Sequence, residues 1–271
     1  MDFSNKRIWG PNPSYDYVKA YVPPNDEFKI ISGSCSVESE YQVNRIAKIV
    51  KEAGANYLRG GVYRAGTYPN RTIKYGYVDE HLIKSYSEAA KANGLKNIIE
   101  VISYQPDQLE ILAKYCDVFQ VGARAMQHYP LLRTLGKWGK PVFLKRHPGS
   151  TVDECLGSVE HLLTGGVKDV SIIERGSSTY HNDVRWTPTP HVVASINSIC
   201  RVPVIWDASH STGRRDLVES IALSGVAVGA DGLLVECHEE PEKSMSDADQ
   251  AVTPETLKSI IDKTNKIRGI I

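Results

Sequence analysis

An excess of charge of either sign is missing from this sequence. Its 271 residues carry 32 Lys+Arg against 32 Asp+Glu and a pI of about 7.1, which excludes a nucleic-acid platform or a polybasic membrane surface. No apolar run approaches the ~18 residues needed to span a bilayer, and the polar start Met1-Asp2-Phe3-Ser4-Asn5-Lys6-Arg7 has no signal-peptide core. The expectation is a soluble cytoplasmic protein without nucleic-acid or membrane partners. A C-x-x-C pair is also missing: Cys35, Cys116, Cys155, Cys200 and Cys237 are scattered and odd in number. That argues against a disulfide framework and for reduced thiols, one of which could be a ligand.

What is present is an alternation. Residues 1–27, punctuated by Pro11, Pro13, Pro23 and Pro24, show little apolar periodicity and read as a lead-in segment or hairpin, with 28–271 as the domain. Short apolar runs then recur at Phe28–Ile31, Tyr57–Leu58, Asn97–Ile102, Val118–Val121, Val142–Leu144, Val170–Ile173, Val202–Trp206 and Gly232–Val235. Segments of helical spacing lie between them, such as Val43, Ile46, Ala47, Ile49 and Val50. Strands alternating with helices, with no break in composition, predict a (β/α)8 TIM barrel with a short N-terminal extension. An open doubly wound sheet is the runner-up, because periodicity does not establish closure.

The residues after each run carry the chemistry. Ser32-Gly33-Ser34-Cys35-Ser36, Arg59-Gly60-Gly61, Glu100, Gln120 through Arg124, Lys145-Arg146, Glu174-Arg175-Gly176, Asp207-Ala208-Ser209-His210 and Glu236-Cys237-His238 all follow proposed strands. In a barrel those ends converge on one mouth, where active sites lie. Arg59, Arg64, Arg124, Lys145, Arg146 and Arg175 would then face a common cavity, although any one alone reads as a surface charge. Such a cluster needs anions, and guanidinium forks suit carboxylate and phosphate. A small doubly anionic substrate follows. Cys35, His210, Glu236 and Asp247 form a mixed soft and hard donor set suited to a divalent ion such as Mn, Fe, Co or Zn. Spacing alone leaves open that Cys35 is a small core residue and His210 a turn histidine.

These segments, together with Leu58-Arg59-Gly60-Gly61, Gly139-Lys140-Pro141-Val142-Phe143-Leu144-Lys145-Arg146, Gly213-Arg214-Arg215, Ala230-Asp231-Gly232-Leu233 and Ser246-Asp247 with Gln250, closely resemble the 3-deoxy-7-phosphoheptulonate synthase family. The similarity runs in unbroken order from about residue 28 to 265. It implies a phosphoenolpyruvate-dependent condensing enzyme of aromatic amino acid biosynthesis, related to the 3-deoxy-octulosonate 8-phosphate synthases. In that family, carbon 3 of phosphoenolpyruvate adds to an aldehyde, water adds at carbon 2 and phosphate leaves. By resemblance, Arg59, Arg124, Lys145 and Arg175 are phosphoenolpyruvate anchors, Lys145 is also a proton donor or relay, and Cys35, His210, Glu236 and Asp247 are metal ligands. Family members are commonly homodimers or homotetramers. The short lead-in leaves no room for the regulatory domain that some of them carry.

Two departures bear on the acceptor. Where the family reads Lys-Pro-Arg-Thr-Ser after the glycine pair, this chain has Arg64-Ala65-Gly66-Thr67-Tyr68. Arg64 and Thr67 keep polar contacts for substrate, but Gly66 removes the arginine that grips the acceptor's phosphate. A charge-assisted contact of that kind is worth ~1.5–3 kcal/mol. Either Arg71 or Lys74 replaces it, or the acceptor differs from erythrose 4-phosphate, which is otherwise the expected aldose. A pentose phosphate, a non-phosphorylated aldose, and a non-catalytic sugar-phosphate-binding barrel are the alternatives. The second departure is Arg185-Trp186-Thr187-Pro188-Thr189 in place of Arg-Asn-Thr-Leu-Asp, which loses an acid and gains bulk.

Overall fold

Eight parallel strands close on themselves in chain order, β1 pairing with β2 and so on until β8 returns to β1. The computed structural model describes residues 14–62, 79–101 and 105–271. The strands are β1 Lys29–Gly33, β2 Tyr57–Arg59, β3 Lys96–Val101, β4 Val118–Val121, β5 Val142–Lys145, β6 Val170–Glu174, β7 Val204–Asp207 and β8 Gly232–Glu236. The helices are α1 Asp16–Ala20, α2 Glu40–Ala53, α3 Glu80–Ala92, α4 Pro106–Tyr115, α5 Tyr129–Leu135, α6 Val152–Thr164, α7 His191–Ile199, α8 Ala208–Thr212, α9 Arg215–Ala227 and α10 Pro254–Arg268. This is a (β/α)8 barrel, so closure overrules the open-sheet alternative. Most strands run one or two residues further toward their C-terminal ends than the apolar runs suggest, because the ladder continues under polar residues that are buried in the mouth.

Why these segments fold this way is visible in their faces. Helix α2 buries Val43, Ile46, Ala47, Val50 and Ala53 at helical spacing and starts at Ser39, whose hydroxyl accepts from Gln42 N. Helix α6 opens with a full capping box between Thr151 and Glu154. Strand residues alternate between two cores. Outward side chains join the large core against the helices, while one inward residue per strand builds a plug: Ile31, Tyr57, Ile98, Val118, Phe143, Ile173, Ile205 and Leu234. The barrel interior is therefore packed, and anything functional must sit above or below the plug.

The end below the plug is closed by polar pairing. Tyr57 donates its hydroxyl to Glu27 Oε2 at 3.2 Å, and Lys96 Nζ stands 3.1 Å from the same oxygen. In the lead-in, residues 16–20 form α1, a helix where the sequence left a hairpin open. Its Val18 N–H donates to Glu160 of α6 at 2.8 Å, and Tyr21 bonds both backbone groups of Val170 at the start of β6. No helix among the described residues is long and apolar enough to cross a membrane.

Candidate active site

Two residues beyond each plug residue, on the same inward face, stand Gly33, Arg59, Glu100, Gln120, Lys145, Arg175, Asp207 and Glu236. This tier is the floor of the mouth. Gly33 is there for space: its φ is +144°, and a Cβ would lie 2.1 Å from the Arg59 carbonyl, so only glycine lets β1 and β2 close beneath the site.

The predicted metal residues converge at one side. One donor atom each from Cys35, His210, Glu236 and Asp247 lies within 4.8 Å of the others. Cys35 Sγ is 2.9 Å from Asp247 Oδ2, and His210 Nε2 is 3.2 Å from Glu236 Oε1. Each ligand is held from behind. The loop bearing Cys35 is clamped by Gly61 N to Cys35 O at 3.0 Å and Val37 N to Gly61 O at 3.0 Å. Glu236 receives a bond from Gln250 Nε2 at 2.6 Å and an ion pair from Arg59, whose Nη1 also reaches Ser34 O at 3.2 Å. Asp247 sits in the left-handed region at φ 53°, a conformation few residues other than glycine, asparagine and aspartate adopt. The ionisation states suit a cation. Burial pushes the His210 imidazole toward its neutral form. Burial alone would raise the Glu236 carboxyl, yet His210 and Arg59 pull it below the usual range. A neutral imidazole, a carboxylate pair and a thiol, all convergent, fit a divalent ion.

Asp207 is the residue to which sequence reasoning gave no role. It caps α8 by accepting from His210 N at 3.0 Å, and its carboxylate is 2.8 Å from His210 Nδ1 and 3.0 Å from Lys145 Nζ. Nδ1 is thereby occupied and Nε2 is turned to the other donors. Although burial would raise it, the Asp207 carboxyl is held well below its ordinary value by His210 and Lys145. Its signal in the sequence was its phase, two residues on from Ile205.

The expected cations divide into four groups. Arg59, Lys145 and Arg175 reach the floor of the mouth, and Arg124 is exposed on the turn that follows β4. Among the described residues no carboxylate pairs with Arg175, and its one hydrogen bond is a long one, Nη2 to His210 O at 3.4 Å. Burial lowers its pKa, a penalty that an anionic ligand would offset. Arg146 does not belong with this group. As the neighbour of Lys145 it faces outward, where its guanidinium forks onto Glu174 and also meets His147 O, Ser150 O, Gly176 O and Ser177 Oγ. All five of its N–H groups are occupied in the barrel wall, leaving none for substrate. Arg64 and Thr67, with Gly66, Arg71 and Lys74, lie outside the described residues. None of the five cysteines forms a disulfide, and all five are buried.

The profile of the DAHP synthetase I family matches residues 20–269. The chain is 36% identical to the phospho-2-dehydro-3-deoxyheptonate aldolase of Thermotoga maritima, over 90% of this chain and 70% of that protein. It is 28% identical to the 2-dehydro-3-deoxyphosphooctonate aldolase of Desulfotalea psychrophila, over 89% of this chain and 90% of that one. Among solved structures, a truncated form of the Thermotoga maritima 3-deoxy-D-arabino-heptulosonate 7-phosphate synthase superposes with a TM-score of 0.83 at 33% identity, covering 95% of each chain.

Proposed function

The chain belongs to the DAHP synthetase I family, and on that premise we propose that it condenses phosphoenolpyruvate with an aldose phosphate, erythrose 4-phosphate first, giving 3-deoxy-7-phosphoheptulonate and phosphate. The observation that carries this reading is Arg175, which pairs with no carboxylate among the described residues, beside Lys145 and the convergent donor set in one mouth. Residues 28–271 are the catalytic barrel in this reading, 1–27 a lead-in, and the enzyme works in the cytoplasm as a homodimer or homotetramer.

The residues divide the work by position. Arg124, Lys145 and Arg175, with Arg59 behind them, hold the carboxylate and phosphate so that carbon 3 faces the aldehyde, a positioning effect. Arg59 is itself fixed by Glu236 and Ser34, so it presents its charge without moving. A divalent ion (Mn, Fe, Co or Zn) held by Cys35, His210, Glu236 and Asp247 supplies Lewis acidity toward an aldehyde oxygen. Lys145, oriented by Asp207, carries the proton that the new hydroxyl requires. Asp207 keeps Lys145 and His210 in register. Arg64, in the place of the family lysine, serves the phosphoenolpyruvate side, and Thr67 serves the acceptor side.

A pentose phosphate is the second reading of the acceptor, favoured by Gly66 in place of the family arginine and by Asn70-Arg71-Thr72, which resembles the octulosonate synthase loop. Phosphate release from phosphoenolpyruvate across a panel of aldoses, with Mn and with chelator, separates the two. Release with erythrose 4-phosphate supports the first reading; release only with a pentose phosphate replaces it with the second. No release with any aldose leaves a binding protein.

A further inference from the structure

The segment 185–189 departs from the family pattern, and its Trp186 sits against Arg175, the one floor cation that pairs with no carboxylate among the described residues. Trp186 N donates to Ser211 O at 2.8 Å and Arg185 N to Thr212 O at 2.9 Å, while Ser177 and Thr187 exchange backbone bonds of 2.9 and 3.0 Å. The segment is thus stitched to the end of β6 and to α8, the helix that carries His210. Gly176 makes the close approach possible: its φ is +87°, and a Cβ would lie 2.7 Å from Thr187 O and 3.2 Å from Trp186 Cβ.

The side chains then meet. Arg175 Cζ lies 5.8 Å from the centroid of the Trp186 ring, within the range of a cation–π contact. Arg175 Nε and Trp186 Nε1 are both buried without a protein partner among the described residues. With only the long bond to His210 O besides, the indole face is the main feature that sets the guanidinium plane. The same segment reaches the donor corner as well. Arg185 Nη1 is 3.1 Å from Gln250 Oε1 and 3.4 Å from Asp247 Oδ1, and Gln250 holds Glu236.

We propose that Trp186 is a positioning residue for Arg175, its indole face fixing the guanidinium that grips one of the two anionic groups of phosphoenolpyruvate. This rests on the condensing function proposed above. An asparagine, which the family pattern has at this place, offers no π face, so the arginine's geometry here is secured by a different means. The ring acts on binding of phosphoenolpyruvate rather than on the later chemistry, because it touches the arginine and not the donor set.

The test is direct calorimetric titration of phosphoenolpyruvate into the full chain, together with steady-state kinetics, for wild type, Trp186→Phe, Trp186→Leu and Trp186→Asn. Losing the ring face raises the dissociation constant about 2- to 30-fold in the leucine and asparagine variants, with the phenylalanine variant between them and wild type. KM for phosphoenolpyruvate rises in step, kcat at saturation stays within about twofold, and KM for the aldose is unchanged. A merely space-filling tryptophan would be replaced by leucine without loss, so leucine binding as wild type does overturns the inference. Phenylalanine binding as weakly as leucine also overturns it, and this comparison holds if the asparagine variant folds poorly. Wild type failing to bind phosphoenolpyruvate at all overturns the condensing function and this inference together.

Discussion

Asp207→Asn is the sharpest perturbation of the mouth, because one buried carboxylate serves two functional side chains. The wild-type carboxylate is fully buried, 3.0 Å from Lys145 Nζ and 2.8 Å from His210 Nδ1. The amide keeps the volume and an acceptor for the α8 cap but removes the charge. Lys145, only 5% exposed, is then a buried ammonium without its counter-ion, a loss of about 3–5 kcal/mol. At about 2.1 cal/mol/K of unfolding entropy per residue, this lowers Tm by about 5–9 °C for a chain of this length. His210 loses the group that fixes its tautomer, which costs about 10- to 100-fold in metal affinity. Differential scanning calorimetry on metal-free protein measures the first effect, and titration with Mn or Zn the second. The Asp207 carboxyl titrates lower in the folded chain than in the unfolded one, so its contribution is complete above about pH 4 and is lost as pH falls below that. The gap between wild type and variant should therefore be level from about pH 5 to 8 and narrow only in acid. A Tm within about 1 °C of wild type at pH 7, or unchanged metal affinity, refutes the reasoning.

Three further outcomes follow from the same geometry. Lys145→Met should lower kcat by about 100-fold or more while raising the phosphoenolpyruvate dissociation constant far less; a fully active variant removes Lys145 from proton transfer. Arg146→Lys should lower Tm by about 4–7 °C, since lysine cannot reproduce the fork onto Glu174 and the three carbonyl contacts, yet leave phosphoenolpyruvate affinity within about twofold; a selective loss of affinity instead would return Arg146 to the substrate site. Gly33→Ala should fail to accumulate as folded protein or lose more than about 3 kcal/mol by chemical denaturation, because its Cβ would meet the Arg59 carbonyl at 2.1 Å.

The barrel was legible because its physics is periodic. A strand buried on both faces reads as a short apolar run, and eight such runs separated by helical spacing leave few architectures. The site was legible where it shares that period: Arg59, Lys145, Arg175 and Glu236 stand in phase with the plug, two residues on from Tyr57, Phe143, Ile173 and Leu234. Arg146 faces away from the mouth for the same reason, since adjacency in sequence to Lys145 means the opposite face of the sheet, where Glu174 lies. Asp207 was in phase, but its role is a relation between Lys145 on β5 and His210 on α8, and no local pattern encodes a contact between separate elements. Asp247 enters the donor set on its chemistry, as an acid in a late loop, but the positive φ that holds it there is a loop conformation that spacing does not announce. Trp186 reads in the sequence only as a departure, because the approach of its ring to Arg175 is a contact between separate segments of the fold.

Carbon–carbon bond formation is the central claim, and mass spectrometry of the organic product tests it most directly. Incubation of the metal-loaded chain with phosphoenolpyruvate and erythrose 4-phosphate should yield a phosphorylated seven-carbon 3-deoxy-2-keto acid, whose mass is the sum of the two substrates and water less phosphoric acid, with one phosphate released per product. Phosphoenolpyruvate and erythrose 4-phosphate recovered unchanged, or phosphate released alongside pyruvate with no longer carbon chain, would contradict it.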